Sequence, residues 1–269
     1  MVDIRIIRKN AERLKRVVDQ LLDFRKVESN KMNMRVGEVD LVAFVAEVKS
    51  CFDTMAAAKQ IHFTFEHDCP SVSIWVDRDK MEKILANLLS NAFKFTPEEG
   101  RIAVKLSVSD EWVAIAVEDN GSGIRPENLP YLFNRFYSEN SRTGTGIGLH
   151  LVSEYVKMHN GKIDVESKPG VRTAFTFSLH RDKTQLKGEY ITEIPVSPLT
   201  YDASRLDDSE QKELLSKSYP YTILIVEDDD EVRTFLEKEL SANFRVLTAV
   251  NGKVALNLLG SEDISLVLS

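Results

Sequence analysis

The hydrophobic pattern of this chain predicts an α+β fold: a two-layer sandwich with helices stacked on one face of a mixed sheet, then a separate βαβαβ stretch. Three observations carry that expectation. Between residues 31 and 180, strand-like and helix-like segments come in runs rather than in βαβ alternation. Helical periodicity is strongest over residues 79–94, where Met81, Ile84, Leu85, Leu88 and Leu89 share a face. From Tyr221 onward, strand and helix patterns do alternate.

Composition narrows the function classes. A length of 269 residues suits two domains, and 43% apolar residues can fill at least one core. The net charge of −7, without a basic run, argues against nucleic acid. Cys51 and Cys69 stand in unrelated settings, which argues against a disulfide framework or a zinc site. No apolar run approaches the ~20 residues that span a bilayer, and the N-terminus lacks a signal segment. The expectation is a cytoplasmic chain without a membrane segment.

The elements follow in order. Residues 1–30 read as one long helix, with Ile4, Ile7, Ala11, Leu14, Val18 and Leu21 in an a/d seam widened by Val17, Leu22 and Phe24. Such a stripe suits pairing with another helix, most simply in a two-chain bundle; packing on the chain's own domain is the alternative. A short strand is expected over 32–36, then a helix capped by Asp40 running to about Lys59. Residues 61–65 and 72–76 alternate as strands. Residues 101–108 and 112–117 form a hairpin across Ser109-Asp110-Glu111. A helical segment near 126–137, a helix over about 147–159, and strands at 161–167 and 173–179 complete this part.

Three short motifs carry chemistry. In Asn87-Leu-Leu-Ser-Asn91-Ala-Phe-Lys94-Phe95-Thr96, the two asparagines are four apart on a helix and share a face. A single amide oxygen plus phosphate oxygens suffices for Mg²⁺, which keeps several waters. Lys94 lies one turn on, able to place an ammonium on a phosphate, and Phe95 offers a face to a purine. Asp119 ends a strand whose alternation (Trp112, Ala114, Ala116) points to burial, and a buried carboxylate needs a donor. Gly121 and Gly123 let the backbone turn sharply beside it. Gly144-Thr145-Gly146-Ile-Gly148 follows a polar loop rather than a strand, which argues against a dinucleotide fold. It opens a helix, whose free N–H groups and dipole suit a triphosphate, and residues 138–145 would form a lid. Taken singly, each motif also has a plain structural reading: solvated amides, a turn, a helix start.

In this order the motifs resemble those of the ATP-binding catalytic domain of sensor histidine kinases, within the Bergerat-fold (GHKL) superfamily. The likeness covers residues 31–180: an N box at 87–94, a glycine box at 119–123, an F box at Phe133–Phe136 and a second glycine box at 144–148. The resemblance implies that ATP and Mg²⁺ are the ligands. It implies Asn91 as the Mg²⁺ ligand, Asp119 as the adenine partner, and Lys94 and Arg135 on phosphates or ribose. Phe95, Gly121, Gly123, Gly144, Thr145, Gly146, Gly148 and Leu149 would line the nucleotide. Asn87 stands where hydrolysing relatives carry a glutamate base; an amide cannot deprotonate water, so phosphotransfer is favoured over hydrolysis. Arg172 stands where the family usually has a further glycine.

The N-terminal helix resembles the second helix of the kinase dimerisation hairpin, which implies a homodimer through that helix. None of His62, His67, His150, His159 or His180 has the phosphoacceptor setting, so the phosphoacceptor helix is an implied partner. Residues 181–220 read as a polar linker, with one or two helical turns over 209–216. Residues 221–269 resemble a truncated, flavodoxin-like receiver domain, and Glu227 and Asp228 match the acidic residues that hold Mg²⁺ there. The expectation is the internal part of a hybrid two-component sensor, passing a γ-phosphoryl from ATP to His and then to Asp. The alternative is a non-catalytic nucleotide-binding or dimerisation module that regulates a partner kinase.

Overall fold

The computed structural model describes residues 15, 18–29, 31–137, 146–182, 186, 189–190, 221–241 and 244–269. The chain divides into two compact units, one comprising residues 22–139 and 146–207, the other residues 1–21, 140–145 and 208–269.

The larger unit is built on a five-stranded mixed sheet. Strands β2 (His62–His67), β4 (Arg101–Val108), β5 (Trp112–Asp119), β6 (Lys162–Lys168) and β7 (Arg172–His180) lie in the order β2-β4-β5-β7-β6. Only β2 and β4 run parallel; the other pairs are antiparallel. Helix α4 (Arg78–Phe95) and helix α5 (Gly148–Met158) pack on one face of this sheet. Met81, Ile84, Leu85 and Leu88 of α4 and Leu151, Val152, Tyr155 and Val156 of α5 are buried with Val113, Ile115, Val117, Phe175 and Phe177. Asp77 caps α4 by accepting from Lys80 N, the short-side-chain cap that a helix start requires.

Several elements depart from the sequence expectation. On β5 the buried residues are Val113, Ile115 and Val117, while Trp112, Ala114 and Ala116 are half-exposed on the opposite face. Asp119 keeps its inward position, because it shares parity with the larger β-branched set. The helix expected from Asp40 to Lys59 breaks in two, α2 (Leu41–Ser50) and α3 (Asp53–Ala58). Its last turn tightens to Cys51 N–Val48 O and Phe52 N–Lys49 O bonds, and Phe52, fully buried, stacks on Phe93 at 5.5 Å. Near residue 126 only a 3₁₀ turn forms, Pro126–Tyr131, since Pro130 removes a donor inside it. The first strand, β1 (Arg35–Asp40), begins later than expected and pairs with β3 (Ser73–Val76) outside the five-stranded sheet. Asp40 caps α2 through Val42 N, as expected.

Helix α1 occupies residues 18–28. From Leu22 it packs on the larger unit. Phe24 is fully buried, with its ring 5.3 Å from that of Phe136 and 5.7 Å from that of His150. Asp23 accepts from Lys83 Nζ and from Tyr155 Oη. The rest of the expected N-terminal seam, Ile4 to Leu14 and Val17, lies outside the described residues. Within the expected linker, β8 (Glu189–Tyr190) pairs parallel with β1.

In the smaller unit, β9 (Thr222–Val226), β10 (Arg245–Ala249) and β11 (Leu266–Leu268) form a parallel sheet in the order β10-β9-β11. Helices α6 (Asp230–Leu240) and α7 (Gly252–Ser261) connect them. Leu224, Ala249 and Ala255 form its core with Val226, Leu247, Leu258 and Ile264, whereas Leu256, Leu259, Leu266 and Val267 are exposed. A three-stranded parallel sheet with one apolar helix face in solvent is what the βαβαβ pattern leads one to expect.

Candidate functional site

The C-terminal end of β5, the last turns of α4 and the start of α5 meet in the larger unit. Asp119 terminates the central strand, 8% exposed, with Ile102 and Thr173 as its register partners on β4 and β7. Its Oδ1 accepts from Gly121 N at 2.9 Å. Burial pushes its carboxyl up to about 6, and the Gly121 hydrogen bond only partly offsets this. A carboxylate so poorly solvated is a strong acceptor for a donor brought by a ligand.

The turn after Asp119 is shaped by close backbone approach. A Cβ on Gly121 would stand 2.3 Å from Phe95 O and 2.8 Å from Asp119 Oδ1. Gly123 has φ +69°, and a Cβ there would stand 2.6 Å from Lys168 O. Ser122 N donates to Phe95 O and Gly170 N donates to Ser122 O, tying the turn to the end of α4 and to the β6–β7 turn. Arg172 begins β7 without a left-handed backbone and pairs with Glu166, so the β6–β7 turn forms without a second glycine.

On α4, Asn87 and Asn91 are half-buried on one face. Asn87 Nδ2 donates to Lys83 O at 2.7 Å, and its Oδ1 faces the first turn of α5, where a Cβ on Gly148 would come within 2.7 Å of it. Lys94 Nζ lies 5.1 Å over the ring of Phe95, which is 47% exposed. Helix α5 has Ile147 at its N-cap and no side-chain cap, so its first N–H groups are not served by a capping side chain. Gly146, at φ +67°, would place a Cβ 2.5 Å from the Phe136 backbone. Leu149 follows Gly148 in the first turn of α5, half-buried. Gly144, Thr145 and the expected lid over 138–145 lie outside the described residues.

Arg135 is placed differently from the remaining motif residues. Its guanidinium pairs with Glu28 of α1 at 2.8 Å. Phe133 packs edge-on against Phe175, and Phe136 packs at a tilt against Phe24. Two threonines near the site received no role from the sequence. Thr173, buried opposite Asp119, shares a 3.1 Å hydrogen bond with Ser167 Oγ, which also accepts from Ile124 N. Thr96, 3% exposed, has a hydroxyl without a partner among the described residues. Both stand beside motif residues, but a lone threonine carries no periodic signal.

The five histidines are accounted for structurally. His159 is buried, its Nδ1 bonded to Tyr155 O and its Nε2 accepting from Asp77 N; burial holds its pKa below the ordinary histidine value. His150 bonds Phe133 O, His67 bonds Cys69 O, and His180 accepts from Asp182 N. His62 is exposed. Cys51 and Cys69 are not joined in a disulfide.

In the smaller unit, Glu227 accepts from Asp229 N and Asp228 is exposed at the C-terminal end of β9. Among the described residues no group of three or more His, Cys, Asp or Glu side chains could hold a metal ion, and no helix is long and apolar enough to cross a membrane.

Comparison with known proteins agrees with this geometry. Residues 76–183 match the family described as histidine kinase-, DNA gyrase B-, and HSP90-like ATPase. Histidine kinase P4 of Formosa agariphila is 31% identical over 98% of this chain and 20% of its own length. Sensor histidine kinase TmoS of Ectopseudomonas mendocina is 32% identical over 98% of this chain and 28% of its own. The chain thus spans less than a third of either curated relative. A nucleotide-free structure of the catalytic domain of histidine kinase ThkA is 28% identical, with a TM-score of 0.52 over 55% of this chain and 99% of that domain. Residues 76–183 thus match the ATPase family of histidine kinases, DNA gyrase B and HSP90, within a chain similar to histidine kinases over nearly all of its length.

Proposed function

We propose that this chain is the ATP-binding catalytic part of a hybrid sensor histidine kinase. Residues 1–30 are its dimerisation helix, 31–180 its catalytic domain, 181–220 a linker and 221–269 receiver-domain sequence. The observation that carries the nucleotide reading is Asp119. A poorly solvated carboxylate sits on a glycine turn beside the asparagine face of α4 and the uncapped start of α5.

In this reading the adenine amino group donates to Asp119, and Phe95 covers the base. The Gly146–Gly148 backbone and the α5 N-terminus receive phosphate oxygens, which the helix dipole favours. Lys94 supplies a cation to the phosphates. Asn91 would hold Mg²⁺, which neutralises charge developing on the transferred group. The γ-phosphoryl leaves ADP and bonds to an imidazole nitrogen of the phosphoacceptor helix; the imidazole proton goes to solvent. Asn87, with its Nδ2 on Lys83 O and its Oδ1 toward α5, has no basic group to activate water, so transfer outruns hydrolysis. Glu227 and Asp228 would hold Mg²⁺ in the receiver part, and a cytoplasmic homodimer is the working assembly.

Calorimetric titration of ATP–Mg²⁺ into the parent chain, Asn91→Ala and Asp119→Ala tests this. Saturable binding that both substitutions abolish is expected; a folded parent that binds nothing refutes the reading.

A further inference from the structure

Three polar residues stand on one rung of the central sheet. Asp119 of β5 lies opposite Thr173 of β7, and Thr173 lies opposite Ser167 of β6. Residues paired in this way project to the same face, with Cβ atoms about 5 Å apart. Thr173 is 4% exposed, so its hydroxyl must find its partners inside the protein. The group that receives its proton decides what the rung offers to a ligand.

The hydrogen-bonding capacity of Ser167 identifies that group. A serine hydroxyl donates once and accepts twice. Ser167 Oγ meets Ile124 N at 2.8 Å, Arg172 O at 3.1 Å and Thr173 Oγ1 at 3.1 Å. Ile124 N can only donate, and Arg172 O can only accept. With the Ser167 proton on Arg172 O, the third contact is a hydrogen bond when Thr173 donates it. The reverse assignment places the single Ser167 proton on Thr173 and gives up the bond to Arg172 O. The first arrangement uses the whole capacity of the serine and leaves each of the four groups paired. Asp119 stands outside this network: its Oδ1 accepts from Gly121 N, and its Oδ2 has no hydrogen-bond partner among the described residues.

We infer that Ser167 is a positioning residue for the Asp119 site. By accepting the Thr173 proton it turns that hydroxyl away from Asp119 and keeps the second carboxylate oxygen open to a donor brought by a ligand. Without Ser167, the freed Thr173 hydroxyl would serve Asp119 across the rung and compete with the ligand. The identity of the incoming donor, an exocyclic amino group, rests on the nucleotide reading; the proton arrangement does not. Thr173 then presents only lone pairs beside Asp119, so this part of the wall consists of two acceptors. Such a wall suits a base that carries an amino group and opposes one that carries a keto oxygen, whose lone pairs would face other lone pairs.

Carboxyl ¹³C NMR titration of Asp119 in the nucleotide-free full chain reads the arrangement. The parent midpoint should lie at about 6. Ser167→Ala should lower it by about one pH unit, because the freed Thr173 hydroxyl then donates to the ionised carboxylate. Ser167→Thr, which keeps a hydroxyl, should not. Thr173→Val should leave the midpoint in place, and in that background Ser167→Ala should have no effect. A midpoint unmoved in folded Ser167→Ala, or raised in Thr173→Val, overturns the inference. Competitive titration of ATP against ITP, whose base has a keto oxygen in place of the amino group, gives a second readout. The parent's preference for ATP should fall about tenfold in Ser167→Ala and persist in Ser167→Thr. Equal weakening of both nucleotides would make Ser167 merely structural and overturn the selectivity. A parent that binds neither nucleotide refutes the kinase reading, while the Asp119 midpoints still decide the part played by Ser167.

Discussion

Asp119→Asn separates a functional carboxylate from a structural one, because the two readings give opposite signs in the nucleotide-free protein. An ordinary aspartate titrates near 3.8, and burial lifts Asp119 to about 6. That difference corresponds to about 3 kcal/mol at ~1.4 kcal/mol per pH unit. The folded pKa lies above the unfolded one, so the folded chain holds the extra proton between those values. The stability contributed by the neutral carboxyl is complete below pH 3.8 and lost as pH rises through 6. Asparagine keeps the carbonyl that accepts from Gly121 N but never ionises. Urea unfolding at pH 7.5 without nucleotide should therefore find Asp119→Asn more stable by about 1–3 kcal/mol, allowing for relaxation around the ionised group. The gap should close toward pH 4. Nucleotide affinity should move the other way, weakening ~10- to 100-fold with loss of a charge-assisted hydrogen bond. A variant less stable than the parent at pH 7.5, or a gap indifferent to pH, would refute the reasoning.

Other perturbations test neighbouring contacts. Glu28→Gln removes one exposed ion pair of Arg135, worth at most about 1 kcal/mol, so ATP–Mg²⁺ should bind no more than ~5-fold tighter by calorimetry if Arg135 serves the phosphates. Phe24→Ala empties a fully buried site and should cost about 3–5 kcal/mol in denaturant unfolding of the larger unit. Gly146→Ala combines a left-handed backbone with a clash against the Phe136 main chain; nucleotide titration should show weakened binding with far-UV circular dichroism retained. His159 has a lowered pKa and is faced by Asp77 and Lys80, so the unfolded chain takes up its proton first. The parent should lose stability as pH falls below about 6.5, and His159→Gln should remove that component of the pH profile.

Much of the fold follows from local pattern. The α4 periodicity, the β4–β5 hairpin and the cap at Asp40 are set by side chains a few residues apart, so they are legible in sequence. The parity of β5 was not. Trp112, Ala114 and Ala116 look as apolar as Val113, Ile115 and Val117, and only the helices above the sheet decide which set is buried. Likewise the division of residues 40–59 into two helices depends on Phe52 reaching Phe93, a partner 41 positions away.

The site divides along the same line. Sequence by itself determined the glycine turns, the paired amides and an acidic strand end, because each chemistry demands particular residue types at short spacing. Tertiary structure alone decided that Asp119 is desolvated, that Asn87 faces the first turn of α5, and that Arg135 is held by Glu28. Burial and pairing between residues tens of positions apart depend on how the layers stack, and no local spacing encodes that.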